Sequence, residues 1–257
     1  MRSVALVALI GIGTSALCLS MSAAIVSAAD DDLSWLERLQ RFGRYDQVNR
    51  GSVLAEPVVR EISWAGNDEL NLNLPASLRF KTAPEWRLTV RGPQGMLDRL
   101  RIEGGTISAV DRDGWLDALD DDFSSVEFDL AGPQLRNVTI NGSGDVTLDG
   151  LRQSDLTIAI NGSGSVHASG RVESLSASIA GSGDASLADL VSRVVDLSIA
   201  GSGDADIAPI DEANVSIAGS GDVRLHSHPR VLRSRVSGSG EVTELPLGSA
   251  VRQPREG

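Results

Sequence analysis

Three aspartates recur at one repeat position: Asp184, Asp204 and Asp222 each stand three residues after the first glycine of a Gly-Ser-Gly tripeptide. If the repeats stack, their carboxylates line up about 5 Å apart. Repulsion within such a column favours a bound cation, and calcium is the ion that carboxylate oxygens suit. The competing use is local, since an aspartate beside a glycine corner accepts hydrogen bonds from the backbone there. Asp145 and Glu241 extend the column, and Ser165 interrupts it. His226 and His228 would share one face of an extended segment and, with Asp222 nearby, could hold a transition metal; a plain surface pair beside Pro229 is the alternative. His167 lies three repeats away, about 14 Å along a stack, and cannot join them. No cofactor other than calcium is expected. The G-x-S-x-G elbow, the H-E-x-x-H helix and the P-loop are all missing from the sequence. Nor does a cluster of acid, base and aromatic subsites stand out, as a polysaccharide lyase or hydrolase would need, so an enzyme is not expected.

The elements that must position these residues are set by an internal repeat. Gly-Ser-Gly begins at Gly142, Gly162, Gly181, Gly201, Gly219 and Gly238, with spacings of 20, 19, 20, 18 and 19 residues. A period near 19 is a solenoid signature. Two residues before each first glycine stand Ile140, Ile160, Ile179, Ile199, Ile217 and Val236, all β-branched. Four after it come Val146, Val166, Ala185, Ala205, Val223 and Val242, and two further on Leu148, Ala168, Leu187, Ile207 and Leu225, until the pattern slips at Glu244. The alternation has period 2, and paired glycines every 19 residues or so would interrupt any helix. Each unit therefore predicts one strand ending at Gly-Ser-Gly and another beginning there, together one coil of a parallel β-helix. Glycine at the corner takes φ > 0 without penalty and lets stacked corners approach closely, while the serines form a hydroxyl column able to donate to neighbouring carbonyls.

Upstream the pattern is β but less regular. Glu61-Ile-Ser-Trp64, a turn at residues 65–68, and alternating Leu70, Leu72 and Leu74 before Pro75 predict a hairpin. Further strands are expected at 77–81, 87–91, 99–103, 106–110 and 125–130. Leu33, Trp35, Leu36, Leu39 and Phe42 fall at helical spacing, which predicts a short amphipathic helix able to cap the solenoid within a linker at 29–57. The β-helix domain is expected over 58–247, with a mobile tail at 248–257. Arg2, the apolar run Val4 to Leu19 and the small residues up to Ala29 form a secretory signal, with cleavage expected after Ala28; an uncleaved anchor is the competing reading. Cleavage would remove Cys18, the single cysteine, so the mature chain has no disulfide and no span of the membrane.

Composition narrows the partners. The chain carries 35 acidic and 23 basic side chains, net −12, and Lys81 is its one lysine. Nucleic acid is excluded as a partner on that balance, and anionic membrane surfaces are disfavoured. All nine aromatic residues lie at or before Phe128, so the repeat half has no ring on which a sugar or base could stack.

On Ile140-Asn-Gly-Ser-Gly-Asp145, Ile160-Asn-Gly-Ser-Gly164, the later Ile-Ala-Gly-Ser-Gly-Asp units and the upstream stretch from Glu61 through Leu74-Pro75 to Val90-Arg-Gly-Pro93, the chain resembles the bacterial family of putative auto-transporter adhesin, head GIN domain, proteins over about residues 58 to 245. The resemblance implies a right-handed parallel β-helix on an exported protein of the periplasm or cell surface. Together with the rows of Ser, Ala, Thr and Asp on the outward strand faces, it leads us to expect a non-catalytic recognition or adhesion-like module for a protein or glycan ligand. The alternative is a structural envelope module that forms homo-oligomers through a coil end or a flat side.

Overall fold

The computed structural model describes residues 57–110 and 123–245. The expected signal peptide, the helix expected from Leu33 to Phe42 and the tail from 248 lie outside the described residues. In chain order the strands are β1 (Val58–Ile62), β2 (Glu69–Leu72), β3 (Ser77–Thr82), β4 (Arg87–Gly92), β5 (Leu100–Glu103), β6 (Thr106–Ala109), β7 (Glu127–Gly132), β8 (Asn137–Gly142), β9 (Asp145–Gly162), β10 (Ser165–Gly181), β11 (Asp184–Gly201), β12 (Ala205–Gly219), β13 (Val223–Leu225), β14 (Val231–Gly238) and β15 (Val242–Glu244), with one short helix, α1 (Gln94–Leu97), after β4. They form a β-solenoid in which β8 to β15 stack in parallel and in sequence order.

The coils differ from the two-strand expectation. β9, β10 and β11 each run unbroken for 17 or 18 residues from one Gly-Ser-Gly corner to the next. Each bends midway, where the register shifts, between Ala168 and Gly170 and again between Leu187 and Val191. The corners never slip: Gly162, Gly181, Gly201, Gly219 and Gly238 are register partners in turn. Variation in repeat length from 18 to 20 residues is thus absorbed at the bend, because the corner tolerates no displacement.

The reason is crowding. A Cβ on Gly162, Gly181, Gly201, Gly219 or Gly238 would lie under 3.0 Å from the carbonyl oxygen of the preceding corner's first glycine, and all five have positive φ, from +131° to +147°. The third glycines are caught the same way, from Gly164 against Gly144 to Gly240 against Gly221. What binds the corners together is backbone: Ser163 N–H donates to Gly142 O at 2.9 Å, Ser182 to Gly162 at 2.9 Å, Ser202 to Gly181 at 2.8 Å and Ser220 to Gly201 at 2.9 Å. The serine hydroxyls, expected to donate to neighbouring carbonyls, instead face solvent as an exposed column. The corner carbonyls are met by backbone amides, and the serine side chains point outward.

Inward residues stack into continuous ladders. Ile107, Leu72, Ile140, Ile160, Ile179, Ile199, Ile217 and Val236 form one. Leu130, Phe80, Leu148 and Ala168 form another, and beyond the register shift in β10–β11 Leu187, Ile207, Leu225 and Glu244 form its counterpart in the later coils. Ala185 and Ala205 are buried, as the narrow interior requires. At the N-terminal end larger residues fill the section: Phe80 and Phe128 are fully buried, and Trp86 packs 6.2 Å from Phe80 and 6.1 Å from Trp64.

The expected hairpin of residues 61–74 does not form. β1 pairs antiparallel with β4, whereas β2 lies in parallel between β6 and β8. β3 likewise lies between β7 and β9. The coil made by β2 and β3 is therefore interleaved between coils made later in the chain. Its corner is Leu74-Pro75-Ala76, which occupies the place of Gly-Ser-Gly beneath Gly142-Ser143-Gly144, since Leu72 pairs with Ile140 and Ser77 with Asp145.

Gly142 has positive φ, +114°, but nothing within 4 Å of a built Cβ, whereas Gly201 has both the dihedral and the clash. Gly142→Ala is expected to cost about 1–3 kcal/mol from backbone strain alone. Gly201→Ala should cost a further 1–3 kcal/mol or so from overpacking, and the gap between the urea midpoints of the two variants measures the crowding.

Candidate functional site

Each coil runs into its corner along a closing limb whose outward residues form three columns. The first is Thr157, Ser176, Asp196, Asn214 and Arg233; the second Ala159, Ser178, Ser198, Ser216 and Arg235; the third Asn161, Ala180, Ala200, Ala218 and Ser237. These side chains are short because the alternating pattern keeps the large apolar residues inside, and the limb presents a flat polar face. A shallow cleft of ≈ 490 Å³ follows the second column, with Asp196 and Asn214 beside it and Arg233 and Arg235 at its C-terminal edge. Asn214 donates to Asp196 Oδ1 at 2.8 Å, and Arg233 is paired with Glu212 and donates to Asn214 Oδ1 at 3.3 Å. The hydroxyls of Ser178, Ser198 and Ser216 and the guanidinium of Arg235 have no hydrogen-bond or ionic partner among the described residues. The face thus offers hydroxyl donors and acceptors in register, with one free cation.

Asp184, Asp204 and Asp222 do fall in one column, and each is occupied. Asp204 N–H donates to Asp184 Oδ1 at 3.0 Å, Asp222 N–H to Asp204 Oδ1 at 2.8 Å, and Glu241 N–H to Asp222 Oδ1 at 2.9 Å. Earlier in the column the equivalent amides use backbone instead: Ser165 N–H donates to Gly144 O and Asp184 N–H to Gly164 O, both at 3.2 Å. Ser165, which breaks the acidic series, donates its hydroxyl to Asp145 Oδ1 at 2.5 Å. A second ladder stands beside it, in which Asn141 Nδ2 donates to Asn73 Oδ1 at 2.7 Å and Asn161 Nδ2 to Asn141 Oδ1 at 2.9 Å. Asn73 escaped the sequence reading because its corner lacks glycine.

The histidines are separated rather than joined. His226 Nε2 lies 2.9 Å from Asp206 Oδ1, and His228 Nδ1 lies 2.7 Å from Glu244 Oε2, so the partner expected for them, Asp222, is not the one they take. Asp206 is in register with Arg224 one coil on, outward on the same face, which explains the choice. His167 stands 3.9 Å from Asp189. Among the described residues no three His, Asp or Glu side chains converge as metal ligands would. At the bend opposite the corner, Arg193 bridges Asp211 at 2.8 Å and Glu173 at 3.3 Å, and the Asp211 hydrogen bond, then the Glu173 one, push its pKa upward.

The fold is a β-solenoid with repetitive outward faces. The chain belongs to the family described as putative auto-transporter adhesin, head GIN domain, whose sequence profile matches residues 52–229. Among solved structures it is similar to a putative adhesin from Bacteroides fragilis, with TM-score 0.60, 16% identity, and coverage of 74% of this chain and 97% of that one. It is also similar to a putative lipid binding protein from Parabacteroides distasonis, with TM-score 0.48, 19% identity, and coverage of 75% and 98%. No curated protein is close enough in sequence to count as a match.

Asp204→Ala removes the acceptor for Asp222 N–H and is expected to cost about 1–2 kcal/mol, whereas Asp204→Asn keeps a carbonyl oxygen there and most of the stability. Thermal melts of both variants check this. Adding calcium to chelated protein should leave the melting temperature unchanged if amide acceptance is the column's whole role.

Proposed function

We propose that the protein is an exported envelope module that recognises a protein or glycan through the outward faces of its coils and performs no catalysis. The observation that carries this is the closing-limb face, where Ser178, Ser198 and Ser216 hold unpaired hydroxyls in register along a cleft that ends at the unpaired Arg235. A regular array of short polar groups on a rigid scaffold suits an extended ligand lying along the stack, because no side-chain entropy is lost in ordering it. Family membership supports the same reading, and no helix among the described residues is long and apolar enough to cross a membrane.

The alternative, a structural module that self-associates, would use a flat side. At the coil end the inward positions turn polar, with Ser234 in register with Val215 and Glu244 with Leu225, which opposes stacking of one solenoid on another.

Surface display is tested with a membrane-impermeant amine reagent, since Lys81 is the one lysine and is exposed. On intact cells the protein is expected to be labelled at Lys81, and Lys81→Arg should lose that adduct. Labelling that appears only after the outer membrane is opened would place the protein inside the envelope and remove the adhesin role.

A further inference from the structure

Arg152 of β9 and Arg171 of β10 are register partners on adjacent parallel strands, so their outward side chains leave the sheet about 4.8 Å apart. Both are exposed, and neither has a hydrogen bond or an ion pair. Like charges directly opposite one another on neighbouring strands destabilise a sheet. Several other arginines of the solenoid are matched: Arg193 has Asp211 and Glu173, Arg224 has Asp206, and Arg79 has Asp149. The carboxylates near the bare pair are turned elsewhere. Glu173 reaches Arg193, and Asp155 accepts the Ser154 hydroxyl at 2.6 Å. In a chain with 35 acidic side chains, two stacked arginines without a carboxylate are a local departure.

They border a cleft of ≈ 770 Å³ with Gly150, Gly170, Gln153 and Ser154 on its walls, together with Glu173, whose carboxylate is engaged by Arg193. The bend carries glycine at two positions beside the pair, Gly150 at φ +69° and Gly170 at φ +127°, neither of which adds a side chain to the cleft. Gln153 is held in place, its Nε2 donating to Leu135 O and Asp155 O, both at 2.7 Å. In the next two coils the same register position holds Val191 and then Ala208. The pair is therefore confined to two coils and is not a product of the repeat.

We propose that Arg152 and Arg171 form an oxyanion clamp that takes the carboxylate of an acidic glycan. Two planar forks side by side match a single carboxylate or phosphate through parallel N–H···O bonds, and the anion cancels the repulsion between them. A carboxylate carried on an extended polymer fits better than a bilayer, because a cleft with one arginine pair admits a single group and does not match a flat anionic surface. The assignment deepens the recognition role proposed above. It is tested in solution, so failure of surface display would not affect the result.

The experiment titrates the purified protein by calorimetry with oligogalacturonate, with its methyl ester, with inorganic phosphate and with phosphatidylglycerol vesicles, using the parent and the Arg152→Gln/Arg171→Gln double variant. Saturable binding of oligogalacturonate is expected, weakened by salt, lost with the methyl ester and reduced about tenfold or more in the double variant. The variant's melting temperature should equal or exceed the parent's, because a like-charge pair has been removed. Equal binding by parent and variant, equal binding of the ester, or a fall in the variant's melting temperature would overturn the clamp. Preference for phosphate or for the vesicles over oligogalacturonate would overturn the glycan as its ligand in favour of a phosphate source.

Discussion

Everything in the solenoid hangs on how closely one Gly-Ser-Gly corner sits on the next. Strand pairing fixes the spacing between coils, and at the corner that spacing brings backbone against backbone, leaving no room for a Cβ on either glycine. The amides of the intervening serines then reach the carbonyls below and lock the corner register. Length differences between repeats are pushed to the opposite bend, so the bend is where sequence is free to vary. Both unusual polar features of the molecule, the Arg193 bridge and the Arg152–Arg171 pair, lie at or beside that bend.

A repeating constraint of this kind is visible in a sequence, and what departs from it is not. The period, the β-branched ladder ending at Val236 and the small interior at Ala185 and Ala205 could all be read directly, because each is imposed again every coil. The N-terminal layers resisted. Alternating Leu70, Leu72 and Leu74 showed a half-buried strand but not its partners, which are separated from it by tens of residues in β6 and β8. Leu74-Pro75-Ala76 hid a corner because it carries none of the glycines that mark the others. The aspartate column was placed correctly, but its use as an acceptor for the next coil's amide depends on an atomic direction that spacing does not carry. The arginine pair is legible in the same terms, since Arg152 and Arg171 are 19 residues apart, one repeat period, but the absence of a partner carboxylate depends on side-chain directions that spacing does not carry.

One column finishes in charge at each end of the stack. At one end Arg60 is in register with Val90, itself in register with Phe128, and is paired with Asp98 at 2.6 Å. At the other, Glu244 terminates the Leu225 column and is held by His228. The two charges close different columns, since the Arg60 column ends at Val242 and the Glu244 column starts from Ile62. Growth of the sheet by a further strand would bury these groups, at a cost far larger than the gain from one more apolar layer.

The interleaving of β2 and β3 gives the molecule two ends of different mechanical character. A load applied at the C-terminal end meets β15 and β14, each held by a single ladder, and can shed coils one after another as a zipper does. A load from the N-terminal side, once β1 has parted from β4, meets a coil clasped from above and below, so two ladders must shear together before any chain is released. That is the direction in which the fold yields last.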